Sequence, residues 1–162
     1  MELDALLRSL EATGVATAIR ENDLLFPWVE SFHVLAITLV VGSIAIVDLR
    51  LMGLASRDRA IARIASEVLP CTWAAFGVAA LSGALLFSSN ALTYAHNAYF
   101  LAKLSFLVLA ALNMSIFHLF VGHDSESRGA KIAGGVSLAL WICVVAFGRW
   151  TGFTLHATPL AS

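Results

Sequence analysis

Ionisable side chains stand inside segments of this sequence that are otherwise almost pure hydrocarbon. Residues 30–54 (ESFHVLAITLVVGSIAIVDLRLMGL) begin with Glu30 and His33 and end with Asp48 and Arg50. A charged group at the centre of a bilayer costs at least about 2.5–3.5 kcal/mol, so such groups usually face neighbouring helices and find partners or ligands there. We therefore take these residues as the first candidates for a binding site.

Two sets of polar residues are predicted from their depth along the apolar segments. A helix rises about 1.5 Å per residue, which brings residues of three different segments to one outer level and others to an inner level. The outer set is Glu30, His33, Lys103 and Arg149, with His96 just before the third segment. The inner set is Asp48, Arg50, Asn113 and His118.

The outer set contains the residue types that hold haem b in a membrane bundle, namely axial imidazoles and cations for the propionates. We predict His33 as one axial ligand. We prefer His96 to His156 as the second, because the start of a helix is better fixed than a chain tail. Lys103 and Arg149 would pair with propionates, or would donate to a quinone bound in the same pocket. Either cofactor implies electron transfer with a redox partner.

The same residues are also explained without a cofactor. Glu30 can pair with Lys103 or Arg149, and Asp48 with Arg50, as structural ion pairs of a non-enzymatic scaffold or of a subunit in a membrane complex. Acid, imidazole and ammonium groups at membrane depth are also the parts of proton relays, so a proton or small-solute transport protomer is a third hypothesis. No hydrolase or nucleotide-binding motif is found, and whether the protein is an enzyme stays open.

The amino-acid composition indicates the kind of structure that positions these groups. Of 162 residues, 59% are hydrophobic and only 13% charged, against roughly a quarter charged in soluble domains. The net charge of −1 gives no reason to expect nucleic acid as a partner. Four stretches reach the length of about 20 residues that a spanning helix needs, so the sequence predicts an all-α membrane bundle over residues 25–156, with spans at roughly 27–54, 67–88, 98–122 and 131–153.

The segment that precedes the bundle, residues 1–24, has its own pattern. Four leucines recur at helical spacing, which predicts an amphipathic helix lying along the outer membrane surface; a lid packed over the mouth of the bundle is the alternative. They are Leu3, Leu6, Leu7 and Leu10. Further along, Pro70 is expected in the first turn of the second span, where its missing N–H costs nothing.

Orientation is predicted from the distribution of basic residues, which favour the cytoplasmic side. Six lie in or beside the first-to-second and third-to-fourth connections: Arg50, Arg57, Arg59, Arg63, Arg128 and Lys131. The other side has only Arg8 and Arg20, on a tail rich in acids. Both termini are therefore expected in the periplasm of a bacterial inner membrane. Small residues on the helix faces favour close approach, and we expect a homo-oligomer or a subunit of a complex.

Three pieces of the sequence resemble a family of small bacterial four-helix integral membrane proteins of unknown function: SFHVLAITLVVGSIAIVDLRLMG, LPCTW and FGRW. The resemblance covers nearly the whole chain. It implies the fold and an inner-membrane location, and it implies no activity. The arrangement of histidines is also distantly similar to b-type membrane cytochromes and to the membrane domain of copper-resistance proteins, although the chain lacks the two matched histidine pairs of di-haem cytochromes.

Overall fold

A computed structural model describes residues 2–55, 60–117, 119 and 127–156. These residues form helices and no strand, which confirms the predicted all-α class. The helices are α1 (Glu2–Glu11), α2 (Gly14–Glu21), α3 (Leu25–Leu51), α4 (Ile61–Ser89), α5 (Ala91–Ala95), α6 (Ala98–Ile116) and α7 (Arg128–His156).

Four of these helices, α3, α4, α6 and α7, are long and apolar enough to cross a membrane. At most 17% of the residues in the most apolar window of each are buried, and large aliphatic side chains such as Leu35, Leu81 and Val108 lie exposed on the outside. A soluble bundle would bury that surface, whereas lipid tails cover it at no cost. The chain is therefore a multi-pass membrane protein, as predicted.

The four long helices pack in the order α4, α3, α7, α6, with α3 and α7 in the middle. Side-chain hydrogen bonds stitch two of these interfaces: Thr72 donates to Ser43 at 2.8 Å between α4 and α3, and the Asn113 amide donates to the Ala133 carbonyl at 3.1 Å between α6 and α7. Among the described residues, α4 and α6 do not pack closely on each other over most of their length. The bundle is therefore open on one side.

Gly134 of α7 allows that helix to lie in close contact with α3. A Cβ atom built at Gly134 would lie 3.0 Å from the Asp48 carbonyl oxygen and 3.0 Å from the Leu51 Cβ. Any larger residue would push the two helices apart, because a backbone carbonyl cannot move aside as a flexible side chain can. This contact fixes the backbone of α3 at the point where Asp48 stands.

Helix α3 ends at Leu51, three residues before the predicted boundary. Gly53 adopts a left-handed conformation with φ of 73°, and the N–H groups of Gly53 and Leu54 bind the carbonyls of Arg50 and Leu49. This is the Schellman arrangement, which satisfies the last carbonyls of the helix and stops it.

The second span differs from the prediction at its start. Helix α4 begins at Ile61 rather than at residue 67, because the six residues before the predicted start continue the helix. Ile64 among them is buried at 3% exposure, and Arg63 forms an exposed ion pair of 3.2 Å with Glu67 one turn later. Pro70 therefore lies in the interior of α4, and its predicted place in the first turn was wrong. In the third span, the predicted residues beyond 117 lie outside the described part, residue 119 excepted.

The segment before the bundle forms two helices instead of one. Thr13 caps α2 by accepting a hydrogen bond from the Ala16 N–H, and this cap separates α2 from α1. Leu7, Ala16 and Ile19 are buried, while Leu3 and Leu6 are exposed. The leucine pattern thus provides one face that packs on the bundle and another that is free to meet the membrane surface.

Helices α1 and α2 pack over the ends of α4 and α5, an end that we call the capped end. The Glu11 carboxylate accepts a hydrogen bond of 2.9 Å from the Leu92 N–H, and the Arg20 guanidinium donates to the Ser89 carbonyl at 3.2 Å. Helix α5 lies between the predicted second and third spans. Ala91 at its start is fully buried, so tertiary packing stabilises a helix that is too short to form alone.

Candidate functional site

His33 lies in the interface between α3 and α4, in the half of the bundle near the capped end. Its Nδ1 is 3.0 Å from the Ser82 hydroxyl oxygen. That hydroxyl lies 2.6 Å from the Val78 carbonyl and donates its single proton there. The His33 ring is thus held against α4 by the Ser82 hydroxyl and by a hydrogen bond with the backbone of Ala79.

Gly83 makes room for the His33 ring, since a Cβ atom at this position would lie 2.9 Å from the ring carbon Cε1. We expect Gly83→Ala to displace the ring and break its bond to Ser82, at a cost of about 1–3 kcal/mol in unfolding free energy. The same substitution in a His33→Ala background should cost much less, which a double-mutant cycle of thermal unfolding in detergent will measure. Gly77→Ala, with nothing within 4 Å, is the control. Equal costs in both backgrounds would contradict the contact.

Lys103 is an outer-set residue of another helix, and its charge acts on His33. It is half-buried on α6. Its ammonium lies 5.4 Å from the centre of the Phe100 ring. Among the described residues no acid forms an ion pair with it, so the predicted pairing of Lys103 with Glu30 is not seen.

The other two outer-set residues within the spans lie on the outside of the bundle. Glu30 is exposed, and its carboxylate acts on Tyr94 of α5: burial first, and then this negative charge, raise the pKa of the Tyr94 hydroxyl. Arg149 is also exposed, and its guanidinium lies 4.5 Å from the centre of the Phe153 ring on the same helix. Neither side chain faces a pocket shared with His33.

His96 ends α5 and is exposed. Its Nδ1 is 2.9 Å from the Leu92 carbonyl and its Nε2 is 3.8 Å from the Asp4 carboxylate on α1. An iron could reach His96 only by displacing one of these contacts. Because His96 is engaged with Leu92 and Asp4, and Glu30 and Arg149 are exposed, the structure does not bring the residues predicted for haem into one pocket, and haem binding stays a prediction. The side chain of His156, and His118 of the inner set, lie outside the described residues.

The inner set lies at the opposite end of the bundle, where a cavity separates α4 from α6. Its volume is about 490 Å³, and all four long helices contribute to its wall. Asp48 and Asn113 of the predicted inner set line it; Arg50 is buried but does not. The remaining wall is almost entirely apolar and includes four large aromatic side chains, Trp73, Phe76, Phe117 and Trp141.

The cavity opens towards the side of the bundle. Trp73 and Phe76 on α4 and Met114 on α6 line it and are also exposed on the outer surface. Near the capped end the same two helices are bridged, because the Phe87 and Phe100 rings stack with their centres 5.6 Å apart. The gap between α4 and α6 is thus confined to the other half, where it faces the lipid.

One oxygen atom of the Asp48 carboxyl group, in the cavity wall, has no hydrogen-bond partner among the described residues. This atom is Oδ2, and Asp48 as a whole is only 5% exposed. The Ser137 hydroxyl lies within hydrogen-bond reach of the same carboxyl group. A buried polar atom without a partner costs roughly 1–3 kcal/mol, and more when charged, so this oxygen marks the place where a ligand could supply a donor.

Sequence reasoning found Asp48 and Asn113 but missed the cavity and Ser137. Two alanines and a serine stand where α6 and α7 face the void: Ala110, Ala111 and Ser137. Small residues at inward positions were the available signal, but the same pattern also indicates close helix packing.

The comparisons with known proteins agree with this architecture. Nothing among the curated proteins and nothing among the solved structures matches the chain, so the likeness to b-type cytochromes and copper-resistance proteins stays a prediction. The profile of a family described as "Family of unknown function (DUF6644)" matches residues 23–154, which take in all four spanning helices and leave out α1 and α2. The chain belongs to this family of unknown function.

Proposed function

We propose that the protein binds a lipid-soluble molecule in the cavity between α4 and α6. The observation that carries the proposal is a void of about 490 Å³ with a buried, unpartnered carboxylate oxygen in its wall. Binding pockets for small molecules measure roughly 300–1,000 Å³ and combine apolar walls with a few polar groups that fix the orientation of the ligand. This cavity meets both criteria.

The position of the opening favours a ligand that arrives through the bilayer. Water-soluble substrates would have to cross a wall made almost entirely of hydrocarbon, whereas a molecule dissolved among the lipid tails meets the gap between α4 and α6 directly. Trp73, Phe76 and Trp141 offer flat apolar surfaces, and aromatic rings pack well against planar ligands. A planar head group with an apolar tail fits these surfaces.

Quinone-type electron carriers are the molecules of this class that we propose, with a role in electron transfer to a partner protein. The proposed quinone site thereby moves from the outer set, Lys103 and Arg149, to the inner cavity. The basic residues in the connections support an orientation with both termini in the periplasm of a bacterial inner membrane, and the cavity would then lie in the cytoplasmic half.

Tryptophan fluorescence tests the proposal, because Trp73 and Trp141 line the cavity while Trp28 and Trp150 lie exposed near the capped end. We expect a short-chain quinone to quench the purified protein in a saturable manner. A Trp73→Phe, Trp141→Phe double variant should lose most of that saturable quenching, and a Trp28→Phe, Trp150→Phe variant should keep it. Quenching that rises linearly with quinone, or that depends on Trp28 and Trp150, would refute the site.

A further inference from the structure

We infer that the cavity selects a ligand that carries a hydroxyl group, which donates a hydrogen bond to Asp48 Oδ2, so that it binds a hydroquinone in preference to the corresponding quinone. This inference rests on the proposed function and names the chemical form of the ligand.

The hydroxyl groups of the wall are committed to the protein, since Thr72 donates to Ser43 and Ser43 donates to the Val40 carbonyl. The indole N–H groups of Trp73 and Trp141 also belong to the wall, and Asn113 uses one of its two amide protons on the Ala133 carbonyl. A quinone has only carbonyl oxygens, which can accept from such donors but cannot donate to Asp48 Oδ2. A hydroquinone can do both, because each of its hydroxyl groups accepts and donates.

Asp48 is the acceptor that most needs such a donor. Its backbone is fixed by the contact between α3 and α7 at Gly134, so the carboxyl group cannot swing out to a membrane surface. With Ser137 near the same carboxyl group, a single further donor completes its hydrogen bonding. A buried oxygen without a partner carries its full desolvation cost, so a new hydrogen bond there contributes more than one to an oxygen that is already bonded, and one such bond is enough to separate the two redox forms of a ligand.

A neutral hydroxyl suits the site better than an ammonium group. A ligand cation would have to shed its water before entering an apolar cavity, and the cost of burying an ion is far larger than that of burying a hydroxyl. We therefore commit to the hydroxyl and make a lipophilic amine one arm of the test.

The test compares four ligands of equal tail length by isothermal titration against the detergent-solubilised protein: a hydroquinone under anaerobic conditions, its quinone, its dimethyl ether and an alkylamine. We expect the hydroquinone to bind at least about tenfold more tightly than the other three, since tenfold corresponds to the strength of one good hydrogen bond. In Asp48→Asn this preference should fall below about threefold, because an amide offers a donor as well as an acceptor. Ser105→Ala, which removes a hydroxyl from α6 away from the cavity, should keep the preference.

Each outcome has a distinct meaning. If the four ligands bind to the wild-type protein with equal affinity, the hydroxyl inference fails and the proposed function stands. If none of them binds, both fail. Tighter binding of the amine, or an unchanged preference in folded Asp48→Asn, overturns the role given to the hydroxyl. Where Asp48→Asn does not fold, the comparison of ligands on the wild-type protein still decides.

Discussion

Ala110→Trp is expected to abolish ligand binding in the cavity and to raise the thermal stability of the protein. Ala110 is 6% exposed and faces the void from α6. Ala110 lines the void, so an indole at this position extends into it, occupies the place of a ligand and gains dispersion contacts there. We expect the dissociation constant of a quinone or hydroquinone to rise at least about tenfold and unfolding to become about 0.5–2 kcal/mol more costly.

The neighbouring residue provides the matched control. Leu109 is 47% exposed and is not part of the cavity wall, so Leu109→Trp introduces the same side chain on the lipid side. The affinity of Leu109→Trp for the quinone or hydroquinone, and its melting temperature, should stay close to those of the wild-type protein. Unchanged affinity in Ala110→Trp, measured by the same titration, would show that the ligand binds elsewhere.

Lys103→Met is expected to stabilise the protein by about 1–3 kcal/mol. Lys103 stands inside the third spanning helix, half-buried and without an ion pair among the described residues. The cost of placing an ammonium group at this depth is therefore offset only in part, by its contact with the Phe100 ring 5.4 Å away, and a methionine of similar length keeps the apolar contacts. Thermal unfolding of the two proteins in the same detergent measures the difference.

Lys131→Met is the control for this prediction. Lys131 is exposed in the first turn of α7, where its ammonium reaches water, so its loss should change stability by less than about 0.5 kcal/mol. A destabilising Lys103→Met would instead mean that the ammonium of Lys103 serves an anionic partner or ligand, and the outer half of the bundle would then be the better place to look for a site.

Much of the fold could be predicted because the bilayer imposes it. A length of about 20 apolar residues and intrahelical satisfaction of every backbone group leave a spanning segment few choices, so four spans could be counted from the sequence. The end of α3 could also have been predicted from the sequence, because Gly53 follows the last apolar turn and glycine commonly ends a helix in this way. The placement of Pro70 failed because α4 begins six residues before the predicted span, with Ile64 buried and Arg63 paired with Glu67.

The candidate site could be predicted only in part. Depth along a helix grouped Asp48 with Asn113 at one level, and both line the cavity. It also grouped His33 with Lys103, whose charge acts on the His33 ring. Depth does not show, however, which side of a helix a residue occupies. Glu30 and Arg149 were therefore expected inside the bundle, and they lie on its outer surface. The cavity was not predictable, because a void arises where α4 and α6 diverge, and divergence depends on how all four helices pack.

The bonds that hold α1 and α2 also set an order of assembly. Arg20 and Glu11 bind backbone groups of Ser89 and Leu92, 69 and 81 residues further along the chain. A ribosome synthesises the two small helices before these partners, which emerge only after the second spanning helix is complete. Helices α1 and α2 must therefore wait for their partners, and their docking is a late event in biogenesis.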